Sequence, residues 1–184
     1  MTEDTPSNEK PAIEPDTIEF LQKVFERVRS GDAAEIGPLL EHGLPPNLRN
    51  QKGDSFLMLA AYHGHHDVAR LLLEHGADAE QPNDQGQTPL AGAAYKGDLE
   101  MVRLLLDHGA KVDGALSDGK TALMFAAMFN RVEVLDLLLA RGANPLAQEA
   151  KGNTARSLAE VMGAKDTAAR LDALAAASSA NAAG

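Results

Sequence analysis

Apolar positions along this chain fall into blocks that recur every 33 residues. One block has helical spacing, as in Met101, Val102, Leu104, Leu105 and Leu106, and its last leucine recurs as Leu40, Leu73, Leu106 and Leu139. A shorter block precedes it, centred on paired alanines at Ala60-Ala61, Ala93-Ala94 and Ala126-Ala127. Glycines keep the same interval in two series: Gly53, Gly86, Gly119 and Gly152, then Gly43, Gly76, Gly109 and Gly142. A fixed period of this length marks a stacked repeat, in which each unit is too small to bury its apolar face alone and shares a core with its neighbours. The pattern therefore predicts two short helices per period, joined to the next pair by a polar, turn-rich connector.

Residues 85–117 show how one unit is punctuated. Thr88 is a suitable N-cap, and Pro89 fits the first helical position, where a missing N–H costs nothing. Ala93 and Ala94 allow close helix contact, and Gly97 ends the helix. Asp98 can cap the next helix, which His108-Gly109-Ala110 ends. One period earlier the order is Ser55, Leu57, Ala60-Ala61, Gly64, Val68, Leu71-Leu72-Leu73 and Gly76-Ala77-Asp78. One period later it is Thr121, Leu123, Ala126-Ala127, Asn130, Val134, Leu137-Leu138-Leu139 and Gly142-Ala143-Asn144. Asn130 stands where glycine stood, as expected at a left-handed position.

Three segments carry a family resemblance: Gly86-Gln87-Thr88-Pro89-Leu90, Ala93-Ala94-Tyr95-Lys96-Gly97, and Val102-Arg103-Leu104-Leu105-Leu106-Asp107-His108-Gly109-Ala110. In order, spacing and length the chain resembles the ankyrin repeat, strongly over 52–150 and more loosely over 18–174. The resemblance implies an all-α solenoid of paired antiparallel helices with projecting hairpin-like fingers. It implies that fingers and first helices line a concave face and that second helices form the convex back. The family's Thr-Pro-Leu-His motif is incomplete here: Met58, Ala91, Met124 and Ser157 occupy the histidine place. Phe56, Ala122 and Ala155 replace the proline that survives as Pro89. The finger position that is often aspartate reads Asn50, Asn83, Leu116 and Glu149.

The division expected is an acidic disordered tail over 1–16, an N-terminal capping repeat over 17–51, and repeats over 52–84, 85–117 and 118–150. A C-terminal capping repeat follows over 151–175, then a disordered Ala/Ser/Asn/Gly tail over 176–184. Terminal units of a solenoid need a polar outer side. Ile18, Leu21, Val24, Phe25 and Val28 form an apolar stripe among charged neighbours at the front. Asp32 and Glu35 have capping-box-like spacing, and Pro38 predicts a short or kinked second helix. At the back, Arg156 replaces Leu57, Leu90 and Leu123, and Thr167 and Ala168 dilute the apolar face. Gly92 falls inside a helix where the neighbouring units have Leu59 and Phe125. Phe125 is expected to fill the space it leaves, so that Gly92→Leu would overpack.

Composition narrows the function. Hydrophobic residues make up 44% of 184, and aromatics only 4%, which suits an aliphatic, alanine-rich helical core. No apolar run reaches the length of a membrane span, and residues 1–15 show no basic start or apolar stretch of a signal peptide. Cysteine is absent, which excludes disulfides and thiol chemistry; a cytoplasmic location is expected. Net charge is −10, with six acids and one base in residues 1–19, which argues against binding nucleic acid or anionic lipid.

His63, His65 and His66 could form a metal site, although they sit at a helix-to-helix turn. His42, His75 and His108 recur just before glycines and are expected to cap helix C-termini. Glu74, Asp107, Asp67, Glu100 and Glu133 fall on second helices and form no catalytic pair. No Gly-x-Ser-x-Gly, P-loop or His-Glu-x-x-His motif occurs. No catalytic residue, cofactor or metal is therefore assigned. The resemblance implies that Tyr62-His63, Tyr95-Lys96 and Met128-Phe129 point toward a partner, with Lys52, Asp54, Asp84, Gln87, Asp118 and Lys120 on the finger side. The expected function is a monomeric, non-catalytic module that binds a protein through its concave face. The alternatives are an accessory protein that supports or opposes a particular enzyme or toxin, as its size resembles that of small stand-alone bacterial ankyrin proteins, and a histidine-based metal-responsive regulator.

Overall fold

The computed structural model describes residues 15–182. It contains ten helices in five antiparallel pairs: α1 (Pro15–Ser30) with α2 (Ala33–Glu41), α3 (Phe56–His63) with α4 (His66–Glu74), and α5 (Pro89–Lys96) with α6 (Leu99–Asp107). The last pairs are α7 (Ala122–Met128) with α8 (Val132–Ala140), and α9 (Ala155–Val161) with α10 (Lys165–Ala182). Successive first helices pack in one row and successive second helices in another, giving a two-layer solenoid. Between pairs the chain forms fingers, closed by backbone bonds such as Asn50 N–H to Asp54 O (2.9 Å), Asn83 N–H to Gln87 O (2.9 Å) and Leu116 N–H to Lys120 O (2.9 Å).

Side chains account for this arrangement directly. Ser55, Thr88, Thr121 and Thr154 each accept a backbone N–H in the first turn of the helix they precede. Gly97 ends α5 at φ 79°, and Asn130 takes the corresponding left-handed turn after α7 at φ 56°. The paired alanines are buried between first helices, where any larger side chain would hold the rows apart. Leu57, Leu90 and Leu123 fill the space between the two layers, opposite Val68, Leu72, Val102, Leu105, Leu135 and Leu138. Polar ties stitch one unit to the next. Asn47 accepts from Asp78 N (2.7 Å), Glu80 from Lys111 N (2.9 Å) and Asp113 from Asn144 N (3.0 Å). His42, His75 and His108 each donate Nδ1–H to the carbonyl four residues back, at 2.7, 2.8 and 2.9 Å, and so cap the second helices.

Several expectations change. The helix α10 runs through the segment read as a disordered tail, up to Ala182. Alanine is the strongest helix former, and alanine-rich composition was read as low complexity when it also favours extending a helix already nucleated at Lys165. At the front, α1 begins at Pro15, inside the expected tail and with proline in its favoured first position; the rest of that tail lies outside the described residues. Pro38 does not shorten α2, which has nine residues like α4, α6 and α8. The ring removes a single backbone bond and points outward from an exposed site. Of the α1 stripe, Val24, Phe25 and Val28 are buried while Ile18 is 46% exposed. Thr167, read as diluting the last apolar face, is fully buried and donates Oγ1–H to Ala127 O (2.7 Å).

Gly92 departs most clearly. A Cβ built at this position meets nothing within 4 Å, so the space beside Gly92 is open and not filled by Phe125. Gly92 has no left-handed backbone that would require glycine. Gly92→Ala should therefore stabilise the fold by about 1 kcal/mol through helix propensity. Thermal unfolding checks this: a raised melting point is expected, and a lowered one would show a steric conflict.

A grooved face with an aromatic stripe

The fingers and first helices of the N-terminal half enclose a groove of about 760 Å³. Its floor is Phe25 of α1 with Met58 and Leu59 of α3. Ile18, Leu21 and Arg29 form one wall, and Tyr62 and His63 the far end. Lys52, Asp54, Asn83 and Gln87 form the finger wall. Lys52, Asp54, Tyr62, His63 and Gln87 of the expected site thus share one cavity.

The finger wall is rigid because its amides are internally bonded. Asn50 Oδ1 accepts from Lys52 N (2.8 Å) and Asp54 N (2.9 Å), and Asn83 Oδ1 accepts from Gln85 N (3.1 Å) and Gln87 N (3.0 Å). Asn83 Nδ2 also donates to Asp54 Oδ1 (2.9 Å), which locks one finger to the next. Asn performs the acceptor role that the resemblance gave to aspartate; Glu149 does the same for Asn153 N (3.1 Å). Leu116 has no acceptor, and its finger relies on Asp118, which accepts from Lys120 N (3.1 Å) and forms an ion pair with the Lys120 ammonium. That pairing holds the Asp118 carboxyl below its ordinary value. Asp84 lies beyond the groove and pairs with Arg49 (2.9 Å).

From the groove an apolar line runs along the C-terminal ends of the first helices. The Lys96 ammonium stands 4.3 Å above the centre of the Tyr62 ring. Tyr95 meets Phe129 edge-on, with ring centres 4.5 Å apart and planes at 84°. Such contacts contribute about 0.5–1.5 kcal/mol each and fix the rings before any partner arrives. Met128 is partly buried against the core. Two members of the line went unnoticed in the sequence. Val161 (79% exposed) and Met162 (50% exposed) lie one period beyond Met128 and Phe129. The period alone could have found them; reading the last unit as a cap hid them.

The three histidines of the α3–α4 turn take different tasks. His65 donates Nε2–H to Arg29 O (2.7 Å), tying α4 to the preceding unit, and Arg131 does the same to Tyr95 O (3.2 Å) one repeat pair further on. His66 Nε2 contacts both Asp98 oxygens (2.9 and 2.8 Å), a partner 32 residues away that local reading overlooked. Among the described residues no three His, Asp or Glu side chains gather as a metal-ligand set. His63 stays exposed beside Tyr62 and His65. Partial burial, then the His65, Lys96 and Arg29 charges, holds its imidazole below the ordinary value. The unfolded chain therefore binds this proton more readily than the fold, so His63 adds a loss of stability as pH falls below about 6.5. His63→Gln should flatten the decline between pH 7 and 5 in denaturant titrations; a steeper decline would contradict it.

The ankyrin repeat profile, in its three-copy form, matches residues 27–115 and again 76–149. A Pseudomonas aeruginosa protein named as an ankyrin repeat protein is 56% identical over 62 residues, 34% of this chain and 36% of that protein. The chain thus spans about a third of the length of this relative. Proteins of this kind are generally protein-interaction modules rather than catalysts, and no described helix is long and apolar enough to cross a membrane. With the profile covering most of the chain and ten paired helices, this chain belongs to the ankyrin repeat family.

Proposed function

We propose that the chain captures a partner protein through the face formed by its fingers and first helices. The observation that carries this reading is the stripe from Tyr62 to Met162. Tyr62, Tyr95, Val161 and Met162 stand exposed in three units, with Met128 and Phe129 half-buried in the unit between, while the second-helix acids Asp67, Glu74, Glu100, Asp107 and Glu133 are exposed on the other row of helices. Exposed apolar surface of this extent on a rigid frame is a mark of an interaction site. Tyrosine supplies contact area at little entropic cost, and the Lys96 and Phe129 contacts hold both rings in place.

The test is amine-reactive cross-linking of the complex recovered by affinity capture with the full chain. Links from the partner to Lys52, Lys96 and Lys120 are expected. Links confined to Lys23 and Lys165 would place the partner elsewhere and sink the reading.

A further inference from the structure

The helix α5 carries a gap in the stripe's supporting row. Leu59, Phe125 and Leu158 occupy one position in α3, α7 and α9, and Leu59 lines the groove; α5 has Gly92 there, and open space lies where its side chain would be. Neither backbone conformation nor a close neighbour requires glycine at this site. Lys96 lies one helical turn on from Gly92, on the same face of α5. Among the described residues no carboxylate pairs with Lys96. Its ammonium is exposed and touches only the Tyr62 ring, in a chain with 27 acids against 17 bases.

We propose that Gly92 opens a socket, with the Lys96 ammonium at its rim, for an aliphatic side chain that stands beside a carboxylate in a segment of the partner protein. The proposal rests on the inner-face reading and specifies its partner. The size follows from what is missing: two of the three equivalent positions hold leucine (Leu59 and Leu158) and the third holds Phe125, so an apolar group of at least leucine size from outside restores the row. The charge follows from Lys96, whose free N–H donors and uncompensated charge suit an incoming carboxylate. Leaving the socket empty sacrifices helix propensity in the free chain, which explains why filling it from within would strengthen the fold and weaken capture.

Random peptides displayed on phage and selected against the full-length chain supply a defined probe. Enriched peptides should carry Leu, Ile or Met within two positions of Asp or Glu. A synthetic peptide of the leading sequence should bind Gly92→Leu at least tenfold more weakly than the parent, although that variant melts no lower. Lys96→Glu should weaken the same peptide and remove the acidic preference from a fresh selection. Undiminished binding to Gly92→Leu, enrichment of basic peptides, or no enrichment would overturn the socket. Enrichment of peptides matching residues 1–14 of this chain would also overturn it, because the occupant would then be internal. If Tyr62→Ala with Tyr95→Ala loses the peptide while Gly92→Leu keeps it, the socket fails and the inner-face reading survives. If neither variant loses it, both fall.

Discussion

Phe56→Ala is expected to destabilise the protein by about 3–5 kcal/mol, the range for removing a fully buried aromatic side chain. Phe56 has no exposed surface, and its ring lies 4.5 Å from that of Phe25, tilted by 50°. It stands at the first position of α3, where the repeat motif favours proline and Pro89 begins α5. The exchange has a packing reason: the Phe25–Phe56 contact joins α1 of the first helix pair to α3 of the next. Since solenoid units touch only their neighbours, the loss should concentrate at that end. Denaturant unfolding followed by hydrogen exchange reads both effects. Faster exchange in α1 and α2 than in α7 and α8 is expected, together with loss of the groove wall made by Ile18 and Leu21. A loss below about 1 kcal/mol, or uniform loosening, would contradict the assigned role.

Replacing Tyr62 and Tyr95 together by alanine should abolish partner capture while leaving the fold in place. Interface hot spots of this kind cost about 2 kcal/mol or more each, roughly a 30-fold loss of affinity apiece, with some non-additivity. Tyr62 is 46% and Tyr95 37% exposed, so the stability lost combines the Lys96 and Phe129 contacts, about 1–2 kcal/mol in total, with the burial of the covered part of each ring, and the fold is expected to survive it. Calorimetric titration of the captured partner against wild-type and double-variant chains separates the two effects. An unchanged dissociation constant would exclude the stripe as the binding surface.

The repeat architecture was legible because the physics that fixes it is periodic. Thr88, Pro89, Gly97 and Asp98 act within a few residues of one another, and their spacing recurs. Local rules also found the histidine caps and the left-handed Asn130. What stayed hidden depends on contacts between units. The link from Asp98 to His66 and the one from Thr167 to Ala127 cross a repeat boundary, and no local pattern announces them. The α10 extension is ambiguous in the sequence because alanine-rich composition marks low complexity and high helix propensity alike. Five of the finger-side and stripe residues meet in a groove whose depth also depends on Ile18, Leu21 and Phe25, residues read only as a cap. The period pairs Gly92 with Phe125, but whether one side chain fills the space left by the other depends on where each points, and the space at Gly92 is open.

Hydrogen exchange of the chain alone and in complex with its captured partner tests the central claim most directly. The account predicts slower exchange at the fingers, over residues 50–54, 83–87 and 116–120, and around Tyr62 and Tyr95, with the outer helices α4, α6 and α8 unchanged. Protection confined to those outer helices, with the fingers exchanging as before, would contradict it.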